Sequence, residues 1–311
     1  MWLQRRSGTR CLAVCLLFLL NVAAPLTRAA DLADATPRTA VISAFEPEWV
    51  LLRAAVHDRK EYLLNGTSFV TGTIEGKPVL LFLSGISMVN ASMTTQFALD
   101  HFVIERIVFS GIAGGVDPRL AIGDVVVPDE WSEYLESVFA REEKGGKGGY
   151  ELPPYAAPSS THYGMMFPQP VQIAQGHEPP KKITWFHVDK AMLDTARAIA
   201  STTALHDCAQ QQCLSRKPKV VVGGNGVSGQ AFVDNKAFRQ YVHSAFQAEV
   251  IDMESAAVAH VAYVNGKPFI AFRTLSDLAG GGAAKNEMYT FFQVAADNAG
   301  AVVIAFLKAL H

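Results

Sequence analysis

The chain has 311 residues, half of them hydrophobic, and a formal net charge of −2 at pH 7. Its Lys and Arg residues are scattered, with no basic stripe and no aromatic-basic interleaving, which excludes polymeric nucleic acid as the expected partner. So much apolar sequence can bury a substantial core, and the length beyond the leader described next is that of one large domain.

Residues 1–30 begin with Arg5, Arg6 and Arg10, continue as the apolar run Cys11 to Leu20 and end among Ala23, Ala24, Ala29 and Ala30. A basic start, a short apolar core and a small-residue exit predict a secretory signal peptide rather than a membrane span. No second long apolar stretch is expected to cross a membrane, so the mature protein should be exported, periplasmic or secreted.

From Thr39, apolar strand candidates alternate with amphipathic helices. The pattern predicts a strand at Ala40–Ala44, a helix from Pro47 to His57, and strands at Thr67–Thr73 and Val79–Ser84. The last two join through Gly76-Lys77-Pro78 as an antiparallel hairpin. A helix at Asn90–Asp100 and strands at Ile104–Ser110 and Asp124–Pro128 follow.

Between about 141 and 182 the periodicity fails among glycines and prolines, predicting a long insertion loop. Tyr155, Tyr163, Met165, Met166 and Phe167 give it apolar surface with which to dock. Next come a helix near Lys190–Thr203 and a polar loop holding Cys208 and Cys213. In an oxidising compartment this pair can close a local disulfide. A zinc half-site is the competing reading, and no second cysteine pair completes it.

A strand at Val220–Gly223, a helix at Lys236–Phe246, a strand into Met253, a helix at Glu254–Asn265, a strand into Asp277 and a helix from Tyr289 to Leu310 complete the chain. The order is that of an α/β fold with helices on both faces of a mixed sheet. Residues 31–311 are expected to form one domain.

The unusual polar residues sit at strand-to-helix junctions. The runs Val250 to Asp252 and Phe269 to Asp277 are apolar and stop at carboxylates. That places charge at the carboxyl edge of buried strands, where open α/β sheets keep their ligands. Glu254 and Asp277 are therefore site candidates. Taken singly, Glu254 also suits a helix N-terminus and Asp277 a turn. Pro47 suits the first turn of a helix, which brings Glu48 to the sheet edge. Ser110-Gly111-Ile112-Ala113-Gly114-Gly115 lets backbone approach a ligand, and it lacks the Lys-Ser/Thr of a triphosphate-binding loop.

Together these pieces resemble the family of nucleoside phosphorylases and nucleosidases, and within it the methylthioadenosine/S-adenosylhomocysteine nucleosidases. The resemblance rests on Ala44–Glu48, Ser84-Gly85-Ile86, Gly111–Gly115, Gly123–Val127, Ser228–Val233, Asp252-Met253-Glu254 and Arg273–Asp277. It implies a single-domain, three-layer α/β/α fold with a central mixed sheet. It also implies hydrolysis of a purine N-glycosidic bond, with Asp277 protonating the departing base. Glu254 would hold the ribose hydroxyls while Met253 packs on the sugar, and Glu48 would activate water. Phe232 would stack on the base, the Val233 backbone would read its polar edge, and Arg273 and Ser276 would orient the acids. Gly114 and Ile112 would line the substrate site. Ile112 replaces a small hydroxyl residue usual in that turn, and Gln230 stands where Asp is common. The resemblance implies a homodimer and a small nucleoside partner, and no metal or cofactor is expected. His260 is expected to pack. Because no Arg lies in Ala44–Glu48 or Ser110–Gly115, water is favoured over phosphate as the nucleophile. A purine phosphorylase and a blunted nucleoside-binding or storage protein are the alternatives.

Overall fold

Strands form at every apolar run where one was expected, and in the sheet at four further places, His57–Leu64, Glu130–Glu133, Phe186–His187 and Asn225–Ser228. In chain order the sheet strands are β1 (Asp34–Ser43), β2 (His57–Leu64), β3 (Thr67–Ile74), β4 (Lys77–Leu83), β5 (Phe102–Gly115), β6 (Val125–Val127), β7 (Glu130–Glu133), β8 (Phe186–His187), β9 (Val220–Val222), β10 (Asn225–Ser228), β11 (Ala248–Asp252) and β12 (Phe269–Asp277). The helices are α1 (Glu46–Ala54), α2 (Met88–His101), α3 (Lys190–Ile199), α4 (Lys236–Phe246), α5 (Ser255–Val264) and α6 (Met288–Ala309). This computed structural model describes residues 32–310 except 144, 146–148, 158, 160, 210, 283 and 284, so the leader expected at 1–30 lies outside the described residues.

The sheet runs β8-β7-β10-β11-β5-β1-β4-β3-β2, with β12 on the other edge of β5 and β6 and β9 continuing from β12. It is mixed, as expected. β1 is parallel to β4 and β5, β5 to β12, and β10 to β11 and β7, whereas β2, β3 and β4 form an antiparallel meander. Helices α1 and α3 pack with α6 in one layer, and α2 packs with α5 in the other. All nine residues of β12 are buried, the state of a parallel strand covered on both faces.

β5 organises the site. One of its edges is shared: β1 pairs with it as far as Ile42↔Phe109, and β11 begins only at Ile251↔Gly114. Residues 110–113 between these contacts face a gap in the ladder, and buried backbone groups there must find other partners.

Four observations differ from the sequence expectations. β2 was not expected, because HDRKEYLL is charged and mostly exposed; it is an edge strand that exists through its pairing with β3. The first helix ends at Ala54, with two residues between it and β2, which begins at His57. The 141–182 segment is not bare coil: Arg141–Glu142 pairs with Tyr150–Glu151, Val171–Ile173 with Lys181–Ile183, and Ser137–Phe139 with Met166–Pro168, while Met166 and Phe167 are buried. Finally, α6 has the length and apolar composition of a membrane span, although no such stretch was expected. Its buried Val302, Val303, Phe306 and Leu307 belong to the main core, and the helix packs beside β12.

Cys208 and Cys213 are disulfide-bonded and join the two sides of a small ribbon. The nearby Leu214 fills the space that a side chain at Gly123 would need.

Candidate active site

A cavity of about 480 Å³ opens at the carboxyl ends of β1, β5, β11 and β12. It gathers Glu48, Ile112, Gly114, Phe232, Val233, Met253, Glu254, Ser276 and Asp277, residues spread over 230 positions of sequence, in one lining. Arg273 does not line the cavity; it lies fully buried behind it.

Glu48 reaches the gap in the β5 edge. Pro47 sits in the first turn of α1 and the N-cap Phe45 is extended, which turns the chain sharply from β1 into the helix. The Glu48 Oε1 accepts from Ile112 N at 2.8 Å and its Oε2 accepts from Ala44 N at 2.7 Å. A side chain thus supplies the acceptor that a strand would otherwise give. Gly111 makes this possible: a Cβ there would fall on the Arg273 guanidinium and within 2.6 Å of Glu48 Oε1.

Glu254 is the last residue of the β11–α5 junction, the N-cap of α5. Its Oε1 accepts from Ser87 N at 2.8 Å. Ser87 holds φ of 78°, a conformation uncommon for a side-chain-bearing residue, and in it the amide of the α2 N-cap serves the carboxylate.

Arg273 ties these acids together. Its Nε donates to Ser255 Oγ at 2.8 Å and lies 2.7 Å from Asp252 Oδ2, an ion contact outside hydrogen-bonding geometry. Its Nη2 reaches Glu254 Oε2 at 3.5 Å, Nη1 lies 3.9 Å from Glu48 Oε1 and donates to Ile112 O at 3.3 Å, and the guanidinium covers the Phe109 ring at 4.1 Å. Three buried carboxylates around one guanidinium cannot all be charged at low cost. Burial accordingly pushes Glu48 above the usual carboxylate range against the pull of Arg273. Burial, reinforced by the charges of Asp252 and Glu48, raises Glu254 to about 8.

Asp277 lines the same cavity with its own support. Oδ1 accepts from Ala279 N at 2.8 Å, Oδ2 from Ser276 Oγ at 2.9 Å, and Asn286 Nδ2 approaches Oδ1 at 3.4 Å. Burial raises its pKa, while these donors oppose the rise. Gly114 leaves room for the side chain, since a Cβ there would come within 3.3 Å of Asp277 Oδ1.

The remaining wall is apolar. Phe232 is 55% exposed, and a ring so open to the cavity is free to stack on a ligand. Phe45 packs on Phe292 at 5.4 Å between ring centroids, and Met288, Tyr289 and Phe292 bring α6 into the lining.

Sequence reasoning did not find the α6 residues, Ser87, or Asp252 as a partner of Arg273. Asp252 carried a signal, since it ends the same strand two residues before Glu254. His260 packs, as expected: it stacks on Phe186 at 4.8 Å and meets Glu133 Oε1 at 2.9 Å. The Cys208–Cys213 disulfide is not part of the cavity lining. Among the described residues no group of three or more His, Cys, Asp or Glu side chains is arranged to hold a metal ion.

The family model of the Phosphorylase superfamily matches residues 38–308. A 5′-methylthioadenosine/S-adenosylhomocysteine nucleosidase of Lysinibacillus sphaericus is 30% identical over 276 residues, covering 88% of this chain and all of that protein. Bark storage protein B of Populus deltoides is 28% identical over 226 residues, 69% of this chain and 70% of that one. In three dimensions the chain is similar to the nucleosidase of Neisseria meningitidis solved in complex with methylthio-immucillin-A, with a TM-score of 0.65, 25% identity, and 88% of this chain and 99% of that chain covered. A match over most of the sequence, in a mixed α/β/α fold with the expected acids around one cavity, means that the chain belongs to the phosphorylase superfamily.

Proposed function

We propose that the protein is a purine nucleosidase that hydrolyses the N-glycosidic bond of methylthioadenosine- or S-adenosylhomocysteine-type nucleosides, releasing free base and sugar. The observation that carries this reading is the gathering of Asp277, whose burial favours its neutral form, and the Glu48–Glu254 pair around one cavity. An unprotonated purine anion leaves poorly, so the acid belongs beside the base and Asp277 protonates its five-membered ring. Phe232 stacks on that base and the Val233 backbone reads its edge.

As the bond breaks, positive charge grows on the sugar. Glu254 holds the ribose hydroxyls with Met253 against the ring, and its hydrogen bonds strengthen as that charge develops. Glu48 orients and deprotonates the attacking water. Arg273 holds Glu254 and Glu48 in place, and Ser276 holds Asp277. Water is favoured over phosphate because among the described residues no Lys or Arg lines the cavity and Glu48 would repel an anion.

The remaining proposals concern setting. Export is supported by the composition of residues 1–30 and by a disulfide, which suits an oxidising compartment. N-terminal sequencing of protein from the culture medium or periplasm tests it, and an intact Met1 there would overturn it. Exposed Ile86, Val89 and Met93 beside the cavity support a homodimer, which sedimentation of the mature protein checks.

The decisive experiment is chromatography of products after incubation with methylthioadenosine, adenosine and inosine, each with and without phosphate. Free base and free sugar regardless of phosphate are expected. Phosphate-dependent sugar 1-phosphate would make the protein a phosphorylase, and no release at all would favour a binding or storage role.

A further inference from the structure

The loop from 229 to 235 joins β10 to α4 and carries Phe232 and Val233 into the cavity wall. Its first half is fastened to the body of the protein: Gly229 N donates to Asp252 O at 3.2 Å and Tyr134 Oη donates to Ala231 O at 3.3 Å. Its second half is fastened through α4, where Asn235 caps the helix by accepting from Phe238 N at 2.9 Å. The position of Phe238 therefore sets where the loop ends.

Three rings surround Phe238. Tyr134 lies at 5.7 Å and Tyr241 at 5.6 Å between centroids. The third and nearest, Tyr163 at 5.1 Å in edge-to-face geometry, comes from the 141–182 insertion and also meets Tyr241 at 5.3 Å. Tyr163 exchanges backbone hydrogen bonds of 3.0 Å in both directions with Met166. Met166 is buried in a small apolar cluster with Tyr241, Ile251 and Ala279, against which Val233 and Phe238 pack. Ile251 and Val233 are themselves cavity walls. The insertion thus reaches the back of the wall with two anchors, Met166 in the cluster and Tyr163, whose ring meets that of Phe238 edge to face.

We infer that Tyr163 is a positioning residue for the 229–235 loop, holding the ring of Phe232 and the backbone of Val233 where a purine base is received. The naming of the base rests on the nucleosidase reading; the positioning of the loop does not. The ring acts through packing alone, since among the described residues no hydrogen bond is found at its hydroxyl, so a phenyl ring should serve equally.

Hydrogen exchange of the loop amides tests this, with full-length mature protein carrying Tyr163→Ala, Tyr163→Leu, Tyr163→Phe or Tyr155→Ala. Tyr155 is 78% exposed on the same insertion and serves as the control. Exchange at 229–235 should rise about tenfold in the Ala variant, the factor that loss of two aromatic contacts together worth about 1.4 kcal/mol gives. The Phe and Tyr155 variants should match wild type. With methylthioadenosine as substrate, the Ala variant should show KM raised by about the same factor with kcat at saturation within about twofold.

Unchanged loop exchange in the Ala variant would overturn the inference, as would a fall in kcat with KM unaltered. If the Ala variant fails to fold, the Leu variant, which keeps apolar volume without the ring, decides on the same exchange readout. A wild-type protein that cleaves no nucleoside would defeat the nucleosidase reading and leave the exchange comparison still able to decide whether Tyr163 positions the loop.

Discussion

Asp277 works under opposing demands: burial favours its neutral form, while Ser276 and the Ala279 amide favour the anion. The outcome is an acid whose pKa is raised, and its activity should persist below that pKa and fall as pH rises through it. Ser276→Ala removes a donor that lowers the pKa, so the alkaline limb of the kcat/KM profile should move to higher pH. A limb that stays in place or moves to lower pH would count against Asp277 as the titrating acid. Asp277→Asn, which keeps the shape and loses the proton to give, should lower kcat by about 10²- to 10⁴-fold in steady-state adenine release. Near-wild-type turnover would sink the assigned chemistry. At this scale the sequence was informative where a residue type is rare at its position. Carboxylates ending apolar runs exposed Glu254 and Asp277, and Pro47 located Glu48. Ser87 was illegible, because its amide meets Glu254 across 167 positions of sequence and no local pattern marks such a contact. Gly111 was visible only as one glycine in a turn; its need for an absent side chain follows from where Arg273 and Glu48 come to lie.

Elements were readable to the extent that their own residues determine them. The apolar run of β12 and the long apolar α6 announced themselves, whereas β2 has little local claim to be a strand and is held by β3. The insertion hid its ribbons because pairs of two and three residues carry no period. Helix α4 combines a legible signal with a function that is not: Asn before Lys236 is a recognisable cap, yet the cap also closes the 229–235 loop. Asn235→Ala should lower stability by about 1 kcal/mol, the usual worth of such a cap, and Asn235→Asp should restore it. Denaturant melts of the two variants measure this, and equal midpoints would show that the cap is not stabilising.

The whole molecule tolerates a cluster of Glu48, Asp252 and Glu254 around Arg273 in its interior. Glu254 titrates near 8 when folded against 4.5 ordinarily, so the folded state binds its proton more tightly. The stability tied to that proton is full below 4.5 and is lost as pH rises from there through about 8. Thermal melts across this window should show a declining midpoint, and Glu254→Gln, which removes the titrating group, should flatten the decline. An unchanged slope in that variant would place the titration elsewhere.

The shared edge of β5 has a thermodynamic corollary. The meander side of the sheet and the β11 side are joined through one strand, and the β11 contact is only two residue pairs long. Glu48 hangs from the first side, Glu254 from the second, and Asp277 from β12. A molecule touching all three carboxylates acts as a keystone, because separating the sides would require it to leave. Its binding energy is then counted toward folding, about 2.7 kcal/mol at a hundredfold excess over Kd. Differential scanning fluorimetry with a non-hydrolysable methylthioadenosine analogue, which carries both base and sugar, should therefore show a melting temperature that climbs with the logarithm of ligand concentration, and a flat response would mean that the cavity does not unite the branches it separates.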